Sequence, residues 1–188
     1  MKLMKRALSL VMASVMILSL ASCKINALKG VKEYSQDEMV KVLEEKLGMD
    51  EEALHLAVND GEHNQYPSSK VLTFKYEGTR VNAYFVDDAA EAKKLFEQYY
   101  QKFEDTFNMK EMFKGSQIKA KTDNDGYIVI NGTDSGVDLF GSRFSMGDIF
   151  GAIYYSNSML ILMYDETPED VSDAKKVVQT LGFPSIDR

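Results

Sequence analysis

The sequence predicts an α+β domain: an antiparallel sheet of about six strands with helices packed against one face. Three observations carry this. Short β-rich runs come in pairs around Gly-, Asn- and Asp-containing turns, as hairpins do. Three other stretches carry single apolar stripes at helical spacing, each of which must be buried on another element. The order strand, strand, helix also occurs twice, at Val71 to Phe103 and at Ile149 to Leu181, as a duplicated unit would arrange it.

The first helix opens at Ser35. Ser35 and Glu38 have capping-box spacing, and Tyr34 and Met39 are placed for a hydrophobic staple. Met39, Val40, Leu43 and Leu47 form the stripe, and Gly48 supplies the stop. Glu51 to Val58 is ambiguous. Its early acids and Ala53 suit a short helix or turn, which is the reading taken, while Leu54, Leu56 and Val58 alternate like a strand. Asp60 to Ser69 is polar and reads as a loop.

Val71 to Tyr76 and Val81 to Val86 form a hairpin through Glu77-Gly78-Thr79-Arg80, and Asp87-Asp88 then caps a long helix. Ala92, Leu95, Phe96, Tyr99 and Phe103 make its stripe, a core face by spacing, and carry it to Asp105 or Phe107. Ser116 to Lys121 and Tyr127 to Asn131 flank a second turn, Asp123-Asn124-Asp125-Gly126. Ile149 to Tyr155 and Met159 to Tyr164 pair around Ser156-Asn157-Ser158. Thr167 as cap and Pro168 in the first turn open the last helix, striped by Val171, Ala174, Val178 and Leu181 and ended by Gly182 and Pro184.

The N-terminus carries an address. Lys2, Lys5 and Arg6 precede an uncharged run from Ala7 to Ser22, the layout of a secretory signal peptide. That run is 16 residues long, short of the roughly 20 needed to cross a bilayer. Leu20-Ala21-Ser22-Cys23 ends it with an aliphatic residue, two small residues and a cysteine. Here the chain resembles bacterial lipoprotein precursors, over its first 23 residues alone. The resemblance implies cleavage between Ser22 and Cys23 and a lipid anchor on Cys23. The organisation expected is therefore a signal peptide over 1–22, a lipidated tether over 23–33 and a single domain over 34–188. The protein would sit, anchored by lipid, at the extracytoplasmic face of a bacterial cell membrane.

Removing 22 residues from 188 leaves 166, a size that suits one domain with a sizeable core. The remaining 19 Lys and Arg face 29 Asp and Glu, a net charge of −10. That balance argues against a general nucleic-acid surface, which needs clustered cations. The single cysteine, once lipidated, leaves no thiol for a disulfide, a redox pair, a metal site or a nucleophile.

No motif for catalysis emerges, and no cofactor is expected. His55 and His63, eight residues apart among acids, are conceivable nitrogen ligands, but they match no H-E-x-x-H pattern. A calcium loop with Gly126 in its sixth place would start at Lys121 and end at Gly132, where carboxylates are required. Gly132-Thr133-Asp134-Ser135-Gly136 is neither a nucleophile elbow nor a phosphate loop. In the Gly- and Ser-rich stretch from Ser135 to Gly147, Leu139, Phe140, Arg143 and Phe144 could form an apolar partner-binding loop; the competing reading makes them core.

The leading expectation is a non-enzymatic envelope lipoprotein that binds a protein partner or ligand. The alternatives are an envelope hydrolase using carboxylates or the His55/His63 segment, and a small solute-binding module.

Overall fold

The computed structural model describes residues 30–59, 69–109, 111, 113–134, 147–165 and 171–186. Helix α1 (Gln36–Leu47) begins at the expected capping box: Ser35 accepts the Glu38 N–H, and the Glu38 carboxylate accepts the Ser35 N–H at 2.9 Å. It ends at Gly48, whose φ of 66° is a left-handed conformation that glycine adopts without steric cost. A 3-10 turn over Glu51–Ala53 follows, held by the Asp50 side chain on the Ala53 N–H.

Seven strands then make one sheet: β1 (Leu54–Asn59), β2 (Ser69–Tyr76), β3 (Thr79–Val86), β4 (Phe113–Lys121), β5 (Asp125–Asp134), β6 (Gly147–Ser156) and β7 (Met159–Asp165). Their order across the sheet is β1-β2-β3-β7-β6-β5-β4, with every neighbour antiparallel. Helix α2 (Ala89–Asn108), capped by Asp88, carries the chain from β3 across to the far edge, and β4 to β7 meander back. Helix α3 (Ser172–Leu181) closes the fold.

The α+β class holds, and three details differ from expectation. The seventh strand is β1, from the ambiguous segment. Its acids and Ala53 make only the single 3-10 turn, whereas Leu54 to Asn59 finds partners in β2 from Leu54↔Phe74 to Asn59↔Ser69. Strand pairing with a distant segment overrides a local preference.

The helices also cover both faces of the sheet rather than one. On one face α1 and α3 bury Met39, Leu43, Ala174, Val177 and Val178 against Leu72, Phe74, Phe150, Tyr154 and Ile161. On the other, α2 buries Ala92, Phe96 and Phe103 against Ile128, Ile130, Ile153, Leu160 and Leu162. The reason is visible in β7, where all seven residues are buried: an unbroken apolar strand must be covered twice. The two strand-strand-helix units therefore do not superpose. A rotation that exchanges the antiparallel neighbours β3 and β7 would leave both helices on one face, and α2 and α3 lie on opposite faces.

Helix α3 begins later than its sequence suggests. Its first helical residue is Ser172, preceded by Val171, which is buried in the α1/α3 core with φ −100° and ψ 10°. The expected cap at Thr167-Pro168 lies outside the described residues.

Candidate functional site

Most residues singled out from the sequence lie outside the described part of the chain. These are Ser22 and Cys23, His63, and the loop residues Leu139, Phe140, Arg143 and Phe144. His55 is described and stands exposed on β1, paired across to Thr73. Of the Asp123 to Gly126 segment, Asp125 and Gly126 already belong to β5, and Thr122 to Asn124 make the turn from β4, in which the Thr122 hydroxyl accepts the Asn124 and Asp125 N–H groups at 3.3 and 3.0 Å. Asn131, the first residue of a formal glycosylation sequon, is 2% exposed within β5 and is no acceptor in the folded chain.

The segment expected to be a free tether is partly folded. Val31 and Tyr34 are buried against the α1/α3 side of the sheet. The Val31 N–H donates to Asp125 at 3.3 Å, and the Tyr34 hydroxyl donates to the Leu181 carbonyl at 2.8 Å. The Asn157 amide donates to Glu33 at 2.7 Å. The Tyr34 ring meets Phe183 edge-on at 6.0 Å, and Phe183 meets Tyr154 at 4.7 Å. Residues 31–35 thus strap the N-terminal segment onto the end of the sheet that carries the β4–β5 and β6–β7 turns. Burial of Val31 is a long-range event that local sequence does not announce.

Several hollows mark the described surface. One of about 580 Å³ lies beside the strap and is lined by Glu33, Asp37, Glu38 and Asp87 with Lys70 and Phe85 among others. Glu38 is held below the ordinary carboxylate range by its hydrogen bonds from the Ser35 backbone and hydroxyl, which is a capping role. A second hollow of about 430 Å³ is lined by Lys93, Glu97, Lys121, Thr122 and Asp123. There Lys93 approaches Asp123 at 3.5 Å and Lys121 approaches Glu97 at 3.9 Å. The third, about 290 Å³, lies where β1, β2 and β3 meet. Ala53, His55, Thr73, Phe74, Lys75 and Arg80 line it.

The other shifted groups are explained by packing and pairing. Burial pushes the Tyr154 phenol well above its usual range, and its hydroxyl donates to the Pro184 carbonyl at 2.8 Å. Burial likewise raises Tyr100, Tyr127 and Tyr155. A hydrogen bond to Tyr76 raises Lys176. Among the described residues, no group of three or more His, Cys, Asp or Glu side chains is placed to hold a metal. Nor is any described helix long and apolar enough to cross a membrane.

The feature that sequence reading passed over is the outer edge of β1. Leu56 and Val58 are 52% and 80% exposed there, Leu56 opposite buried Leu72 and Val58 opposite exposed Lys70 on β2. The alternation of Leu54, Leu56 and Val58 was the available signal.

No protein-family model matches the chain, and no curated protein matches it. Among solved structures it is similar to a GTP binding regulator from Thermotoga maritima. That likeness has 15% identity and a TM-score of 0.38, over 79% of this chain and 84% of the other.

Proposed function

We propose that the protein is a membrane-anchored cell-envelope lipoprotein, held by lipid on Cys23 at the extracytoplasmic face of a bacterial cell membrane. Its folded domain binds a partner or ligand there and does not carry out catalysis. The observation that carries the anchor is Leu20-Ala21-Ser22-Cys23 behind a basic start and an uncharged apolar run.

Energetics favour the anchor over the chain's acidity. Two acyl chains contribute on the order of 20 kcal/mol at about 0.8 kcal/mol per buried CH₂. Repulsion between surface acids and anionic headgroups is about 1 kcal/mol per nearby charge and is screened within a Debye length. Seven residue steps separate Cys23 from Gly30, so the strapped end of the domain stays within about 24 Å of the lipid at about 3.4 Å per residue. A domain on so short a lead meets what lies at or near the bilayer surface.

Replacement of Cys23 is the test. Cys23→Ala is expected to move the protein out of the membrane fraction with its melting temperature unchanged. Wild type and variant fractionating alike would remove the anchor from this reading.

A further inference from the structure

We draw no further inference here: the strongest candidate, the outer edge of β1 with its exposed Leu56 and Val58, carries none, because nothing in the structure shows what covers it.

Discussion

The two edges of this sheet are finished in opposite ways. Strand β4 carries Lys114, Lys119 and Lys121 within nine residues. Lys119 pairs with Glu104, and Lys121 reaches Glu97 at 3.9 Å and stands over the Tyr100 ring at 5.2 Å, so two cations tie that edge to α2. Surface pairs of this kind contribute only about 0 to 1 kcal/mol each, so their larger effect is to deter pairing with another strand. Strand β1 has none of this. Its lysine-free edge exposes Leu56 and Val58 and lies beyond the helices that bury the same faces elsewhere. Among the described residues, one edge of the sheet is thus locked to the chain's own helix, and the other pairs with no further strand.

That contrast can be broken most forcefully in the half covered by α2. Phe96 is fully buried and its ring stacks on Tyr155 at a centroid distance of 5.3 Å. Phe96→Ala is expected to cost about 3 to 5 kcal/mol in urea unfolding, while Leu56→Ala at the open edge should stay within about 0.5 kcal/mol. Equal losses would show that β1 is held as tightly as the core. Next in size is Gly132→Ala. Gly132 lies opposite Gly115 in the β4–β5 ladder, and an added Cβ would overlap the Lys114 carbonyl and the Gly115 Cα. Backbone has little room to give, so a loss of about 3 kcal/mol is expected. A neutral outcome would mean that the guarded edge is looser than its register implies.

A smaller effect is expected at high pH. The Tyr154 phenol is raised well above its reference value of 10.0 by burial. Above that value the unfolded chain loses a proton that the folded chain retains, so stability falls as pH rises. Tyr154→Phe should flatten this alkaline slope, although it gives up the hydrogen bond to Pro184, worth about 1 kcal/mol at neutral pH. An unchanged slope would place the alkaline sensitivity elsewhere, with Tyr100, Tyr127 and Tyr155 next in line. Smallest of all is Ser35→Ala, which removes a cap hydroxyl from α1 for about 1 kcal/mol or less.

Features written in a few adjacent residues were legible from the sequence. The capping box at Ser35 and Glu38, the Asp88 cap and the glycine stops at Gly48 and Gly182 are local chemistry, and all four occur where their residue types place them. The hairpins turn at Glu77-Gly78 and Asn157-Ser158, with positive φ at Glu77 and Asn157. What escaped was set at a distance. Val31 resembles linker until its partner Asp125 is known. An apolar helical stripe says that a face is buried, but not on which side of the sheet. The clue to two-sided cover was the unbroken run Leu160-Ile161-Leu162-Met163, which an open-faced strand would have interrupted with polar residues. Strand β1 was hidden because its pairing, not its composition, makes it a strand. Of the binding residues weighed at the outset, His55 lies among the described residues, exposed on β1.

The central claim is that lipid on Cys23 holds this domain at a membrane. Mass spectrometry of the intact mature chain addresses it directly. A chain that begins at Cys23 and carries a diacylglyceryl adduct there is expected. A chain that retains residues 1–22, or one with an unmodified Cys23 thiol, would contradict it.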